Sequence, residues 1–91
     1  MKFPLSYDAT TTREDFLRLL PQATGGARFQ EIDGRFRGDG WSLGLTPIPP
    51  LVIGMVRLER HRVDIAFDGL TVDEQDRFMQ RFTLHYQRGG G

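Results

Sequence analysis

The chain has 91 residues, which is enough for one hydrophobic core and too few for two, so we expect a single domain over residues 1–91. Its 12 basic and 12 acidic side chains balance, so net charge gives no reason to expect binding to nucleic acid or to an anionic membrane surface. The absence of cysteine excludes disulfides, zinc ribbons, iron–sulfur sites and thiol chemistry.

The first quarter of the chain predicts a strand followed by a helix. Residues 2–7 alternate between apolar and polar side chains, and Pro4 favours a position at the sheet edge. Three threonines at 10–12 offer helix N-caps ahead of an amphipathic segment. We expect this helix to end or kink near Leu20, because Pro21 lacks a backbone donor, and two glycines at 25–26 complete the break.

A hairpin is predicted next. The dipeptide Asp33-Gly34 is typical of a type I′ turn, so residues 27–32 should pair with residues 35–37. With these two residues as the loop, Glu31 faces Phe36 across the hairpin. A second Asp-Gly pair, at 39–40, indicates another turn or a bulge.

The middle of the chain predicts further strands. Residues 41–46 alternate as a strand that we expect to end at Pro47, and residues 47–50 should form a stiff connection. Residues 51–58 and 63–67 then read as a β-hairpin with its turn at 59–62. The side chains predicted to face the core from this hairpin are Val56, Leu58, Val63, Ile65 and Phe67.

The last element is predicted to be a helix from about Val72 to Arg88. Thr71 and Glu74 have the spacing of a capping box, and residues 89–91 are a glycine tail that we expect to be flexible. The apolar stripe of this helix is predicted to contain Val72, Phe78, Met79, Phe82 and Tyr86.

Together these elements predict an α+β fold, in the order β-α-β-β-β-β-α, with a mostly antiparallel meander sheet and two helices packed on one face. Helix, three strands and helix in succession resemble a double-stranded-RNA-binding domain. Such domains have lysines at the start of the last helix, where this chain has Asp73, Glu74 and Asp76, so we do not expect RNA binding there.

Two local patterns resemble functional motifs. Residues 40–44 match G-x-S-x-G, with Ser42 as the nucleophile, but prolines rather than a helix follow, so we interpret Ser42 as an ordinary strand residue. Residues 88–91 resemble the diglycine tail of ubiquitin-like modifiers. That tail follows a strand, whereas here it follows a predicted helix, and helix termination explains the glycines.

The best candidate for anion or nucleic-acid binding is the basic segment 57–62, predicted to lie at a hairpin tip. Acidic residues interleave with it and no row of exposed aromatics accompanies it, so nucleic acid is not the favoured partner. The residues of this candidate site are Arg57, Arg60, His61, Arg62, Arg35 and Arg37.

The leading functional hypothesis is a non-catalytic interaction or small-ligand-binding domain that forms a homodimer or binds another protein. Its candidate interface residues are Ile48, Arg77, Arg81, Leu84 and Arg88. The alternative is a small enzyme with an acid–base pocket between sheet and last helix, using His85, Tyr86 or Asp64. We expect no cofactor and no metal. No apolar run reaches the ~20 residues that span a bilayer and no signal peptide is apparent, so a cytoplasmic protein is expected.

Overall fold

A computed structural model describes residues 3–26 and 28–87, and its elements follow the predicted order β-α-β-β-β-β-α. One antiparallel sheet has the strand order β1-β5-β4-β3-β2, so β1 lies at an edge as predicted, although it begins at Ser6, after Pro4, and not at residue 2. The elements are β1 Ser6–Thr10, α1 Arg13–Ala23, β2 Gln30–Ile32, β3 Arg35–Arg37, β4 Trp41–Ile53, β5 Val56–Phe67 and α2 Val72–Gln87.

The core lies between one face of the sheet and the two helices. Alternate residues of β4 and β5 are buried on this face, because successive side chains of a strand point to opposite sides of a sheet. The Phe16 ring of α1 stacks on the Tyr86 ring of α2, with 4.4 Å between ring centroids. The buried side chains are Phe16, Leu20, Ala23, Phe36, Trp41, Leu43, Leu45, Val63, Ile65, Met79 and Phe82. This confirms the predicted packing of both helices on one face.

Helix α1 begins as predicted and ends later. The hydroxyl of Thr12 accepts a hydrogen bond from the Asp15 amide at 3.0 Å, which is an N-cap. Of the two predicted outcomes near Leu20, an end or a kink, the end is wrong, because a proline near the C-terminus removes only one helical hydrogen bond and the helix continues to Ala23. The Thr24 amide donates to the Leu20 carbonyl, and Gly25 and Gly26 then reverse the chain with φ of 83° and 75°.

The first hairpin has the predicted register. Glu31 pairs with Phe36 across β2 and β3, and Asp33 and Gly34 both have positive φ, as a type I′ turn requires. Phe29 packs edge to face against Phe36, with their ring centroids 6.1 Å apart.

The boundaries of the second hairpin differ from the prediction. β4 does not end at Pro47 but continues through Ile53, and the turn lies at Gly54 and Met55 rather than at residues 59–62. Proline is tolerated because this part of β4 has β5 on one side only, so a residue without an N–H group can face the free edge. The predicted stiff connection is therefore part of a strand.

Helix α2 begins with the predicted capping box. The Thr71 amide donates to Glu74 Oε1 at 2.9 Å, and the Glu74 amide donates to the Thr71 hydroxyl at 3.2 Å. The hydrogen bond from the Thr71 amide to the carboxylate, together with the Thr71 side chain, holds the pKa of Glu74 below its usual range. Val72 does not join the apolar stripe, since it is exposed at the first turn, before the helix reaches the sheet. Arg88 and the glycine tail lie outside the described residues.

The capping box should contribute to stability. Replacing Thr71→Ala removes the hydroxyl acceptor, so we expect the free energy of unfolding to fall by about 1 kcal/mol. Chemical denaturation followed by circular dichroism measures this change. The control Thr71→Ser keeps a hydroxyl and should stay much closer to the unchanged protein; equal losses in both variants would contradict the capping role.

Candidate functional site: the projecting arm and the open sheet face

The two longest strands extend beyond the rest of the sheet as a two-stranded arm, which we define as residues 48–59. β3 pairs with β4 only up to Gly44, and β1 pairs with β5 only from Arg60 onward. Within the described chain the arm strands therefore pair only with each other. At about 3.3 Å per residue, the arm projects by roughly 15–20 Å.

A β-bulge in β4 changes which side chains share a side of the arm. Ile48 pairs with Arg60, and the next regular pair is Leu51 with Leu58, so β4 advances three residues while β5 moves two. The extra residue shifts the alternation of β4 by one. As a result Leu51 and Ile53 lie on the same side as Ile48, which a regular strand would not allow.

One side of the arm is consequently aliphatic and exposed. Directly paired residues lie on the same side of a sheet. Leu58 and Val56 of β5, which pair with Leu51 and Ile53, therefore also lie on this side. Ile53 is 61% exposed and Val56 is 54% exposed. We call this surface the apolar side; its residues are Ile48, Leu51, Ile53, Val56 and Leu58. The predicted inward positions of Val56 and Leu58 are therefore wrong.

The other side of the arm is more polar. Val52 pairs with Arg57, and Glu59 lies on the same side two residues further along β5. Met55, in the turn, is fully exposed. The arm thus has two distinct sides, and only one of them offers a continuous aliphatic surface.

The apolar side continues into the open face of the sheet, which is the face opposite the helices. Four arginines share this face, and Asp8 and Asp64 lie among them. Arg62 donates to Asp8 Oδ1 at 2.9 Å, and Arg60 lies 3.7 Å from Asp8 Oδ2. The four arginines of this face are Arg35, Arg37, Arg60 and Arg62.

One ion pair crosses the sheet above a glycine. Arg35 on β3 contacts Asp64 on β5 at 2.5 Å, and Gly44 of β4 lies between them. A β-carbon at Gly44 would lie 2.4 Å from the Asp64 carboxylate, so the absence of a side chain lets the pair form. Arg35 also donates to the Ser42 hydroxyl at 3.2 Å. The G-x-S-x-G pattern therefore surrounds a polar contact on a strand and not a nucleophile on a strand-to-helix turn.

The remaining residues of the predicted basic site lie elsewhere. The predicted hairpin tip at 57–62 is wrong, because these residues belong to the interior of β5. Arg57 lies on the polar side of the arm. His61 is buried on the helix side, with Nδ1 2.9 Å from the Thr11 carbonyl oxygen. The structure thus groups four of the six predicted residues and separates Arg57 and His61 from them.

The structure also separates the residues of the interface predicted on α2. Leu84 is 68% exposed and Arg77 is also exposed, but Arg81 donates from Nε to the Gln22 carbonyl at 2.8 Å. Arg81 therefore joins the C-terminus of α1 to α2. Ile48 lies on the side of the sheet opposite the helices and belongs to the apolar side of the arm. Arg88 lies outside the described residues.

The three residues of the alternative acid–base pocket do not meet. Asp64 lies on the open face, whereas Tyr86 lies on the opposite side of the sheet and donates to the Phe16 carbonyl at 2.7 Å. His85 Nδ1 lies 2.9 Å from the Arg81 carbonyl of its own helix. Within residues 3–26 and 28–87, no three His, Asp or Glu side chains are grouped as metal ligands.

Comparison with protein-family models, with curated proteins and with solved structures finds no match. Neither helix of the described chain is long and apolar enough to cross a membrane. Function therefore has to be inferred from the arm, the open face and the cavities of this fold. Of the aliphatic side chains on the apolar side, the sequence predicted only Ile48 as an interface residue, although Gly54 within an apolar run was a sign of the turn.

The ion pairs of the open face predict a measurable titration shift. The hydrogen bond from Arg62, assisted by the charges of Arg62 and Arg60, holds the pKa of Asp8 below its usual 3.8. In Arg62→Ala we expect this pKa to rise toward 3.8, as followed by NMR titration of the carboxyl group. Because the folded-state pKa is lowered, the pair stabilises the fold above the pKa of the unfolded chain and ceases to do so as pH falls through the folded value.

Arg37→Ala is the matched control for this titration. Arg37 lies on the same face and forms no ion pair with any described residue. Its removal should leave the Asp8 pKa unchanged. An unchanged Asp8 pKa in Arg62→Ala would show that the Arg62–Asp8 contact does not form in solution.

Proposed function

We propose that this protein is a non-catalytic interaction domain that self-associates through the apolar side of its arm, forming a homodimer in the cytoplasm. The observation that carries the proposal is the bulge after Ile48, which places five aliphatic side chains on one exposed side. Open apolar surface of this kind on a soluble domain is typical of a contact surface.

The arm is expected to become more stable when another surface packs against it. Two-stranded hairpins are only marginally stable in water, and burying the exposed aliphatic side chains stabilises by about 25 cal/mol per Å² of apolar surface. The arm residues on both sides of Gly54 are exposed in the monomer. A partner that packs on the apolar side would supply the layer that the helices supply to the rest of the sheet.

The free β4 edge of the arm is less suited to binding than its apolar side. Three prolines, at 47, 49 and 50, lie in β4 and have no N–H group to offer a further strand. Proline on an edge strand is a common protection against strand addition. We therefore propose face-to-face packing on the apolar side rather than extension of the sheet.

A second copy of the chain is the occupant that fits this surface. In a two-fold interface the same patch serves both partners, so an aliphatic row can pack against itself. The row is uninterrupted by acidic residues, and the charge at its base, Arg60, already lies 3.7 Å from Asp8. Two arms packed about 10 Å apart would form a small sandwich with its own apolar interior.

Charge placed on the apolar side should prevent this contact. We expect Ile53→Glu to weaken the dimer by more than about tenfold, because a carboxylate without a partner in an apolar interface costs more than ~1.4 kcal/mol. Sedimentation velocity over a concentration series measures the change in association. Ile53 is 61% exposed in the monomer, so the variant should fold normally.

Val52→Glu is the matched control, since Val52 is the preceding residue, is 60% exposed and lies on the other side of the arm. This variant should associate like the unchanged protein. A protein that stays monomeric at every concentration would refute the homodimer, and equal weakening by both variants would refute the use of one side. Binding of a different protein that is lost only in Ile53→Glu would assign the surface to that partner instead.

A further inference from the structure

A second feature of the fold is a cavity on the helix side of the sheet, remote from the apolar side of the arm. It has a volume of about 400 Å³ and lies between the segment before β1, β1 itself and α2. Ligand sites for small molecules begin at about 300 Å³, so the cavity is large enough for one. Its lining includes Phe3, Tyr7, Met79, Phe82, Thr83 and Tyr86.

The cavity lining combines aromatic surface with hydroxyl groups. The rings of Tyr7 and Phe82 meet edge to face, with 6.5 Å between centroids. Tyr86 donates its hydroxyl hydrogen to the Phe16 carbonyl at 2.7 Å. The Tyr7 hydroxyl forms no hydrogen bond with any described residue, so its donor is free for a ligand.

The described lining is also uncharged. None of the described residues that contribute to it is Asp, Glu, Lys or Arg. Burial raises the pKa of Tyr7 to about 12, and burial together with the neighbouring Tyr7 raises that of Tyr86. Both phenols therefore stay protonated at neutral pH. An ionic ligand would lose its hydration here without gaining a counter-charge from any described lining residue, whereas a neutral ligand would not bear that cost.

We propose that this cavity binds a small, neutral, mainly apolar molecule with a single hydrogen-bond acceptor, such as an aromatic ketone, whose oxygen accepts from the Tyr7 hydroxyl. The aromatic side chains enclose the apolar part of the ligand. Thr83 lines the cavity from α2, one turn before Gln87 ends the helix. The site is independent of the proposed dimer, because its lining residues lie outside the arm.

A neutral fluorescent ketone, 6-propionyl-2-(dimethylamino)naphthalene, is a suitable probe because its emission reports both polarity and hydrogen bonding to its carbonyl. We expect a blue shift with saturable binding to the full chain. In Tyr7→Phe the dissociation constant should rise by roughly fivefold, as expected for one lost neutral hydrogen bond. The carboxylate analogue, with a carboxyl group in place of the propionyl group, should bind at least about tenfold more weakly.

Two tryptophan variants on α2 locate the binding site. Thr83→Trp fills the cavity and should abolish probe binding, while Leu84→Trp adds the same ring at an adjacent residue that is 68% exposed. Leu84→Trp and the arm variant Ile53→Glu should both bind the probe normally, with folding checked by circular dichroism.

The proposal is overturned by any of three results. The first is no saturable binding of the ketone up to its solubility limit. The second is binding that Thr83→Trp leaves intact, or that Leu84→Trp removes equally. The third is equal affinity for the ketone and the carboxylate. None of these depends on the oligomeric state, so a failure here is distinguishable from a failure of the proposed dimer.

Discussion

The pairing of β4 with β5 determines which side chains of the sheet are buried and which are exposed. In the body of the sheet this pairing buries Leu43 and Val63 beneath the helices and leaves polar residues on the open face. Beyond Ile48 the bulge changes the alternation, and aliphatic side chains come to lie on the side that is polar in the body. A single inserted residue therefore separates a conventional two-layer domain from an arm with an exposed apolar surface.

The open face shows how a polar sheet surface can be organised without a second layer. Arg35 reaches over Gly44 to Asp64, and β1 supplies Asp8 to the arginines of β5. Asp8 lies on the strand next to its basic partners, whereas Asp64 lies two strands away from Arg35, so the ion pairs link β1 to β5 and link β3 to β5 across β4. Exposed pairs of this kind contribute little stability individually. Their clearer effect is to satisfy charges that would otherwise favour an anionic partner.

Sequence patterns predicted the parts of the fold governed by local chemistry. The capping box at Thr71, the type I′ turn at Asp33 and the strand of residues 41–46 depend on neighbours close in the chain, and their positions were correct. The exact ends of helices and strands were harder to predict from the sequence. Pro21 predicted an end or a kink of the helix and Pro47 predicted the end of the strand, whereas backbone hydrogen bonding continues the helix to Ala23 and pairing with β5 continues the strand to Ile53.

The candidate site was less predictable than the fold, because it depends on register. Ile48, Leu51 and Ile53 share no regular period, so neither strand alternation nor a helical pattern identifies them as one surface. The bulge that unites them becomes visible only when β4 is paired with β5. The grouping of Arg35 and Arg37 with Arg60 and Arg62 likewise requires the strand order, which brings distant segments together on one face.

Strand β1 contributes residues both to the cavity and to the open face at the base of the arm. Its residues alternate, so Tyr7 faces the cavity beside α2 while Asp8 faces the open side and contacts Arg60 at the base of the arm. A displacement of β1 would therefore move both surfaces at once. However, Tyr7 pairs with Val63, which is completely buried, so this strand is held rigidly in the core at the point between them. Ligand binding and self-association are thus expected to be independent unless β1 itself detaches from the sheet edge.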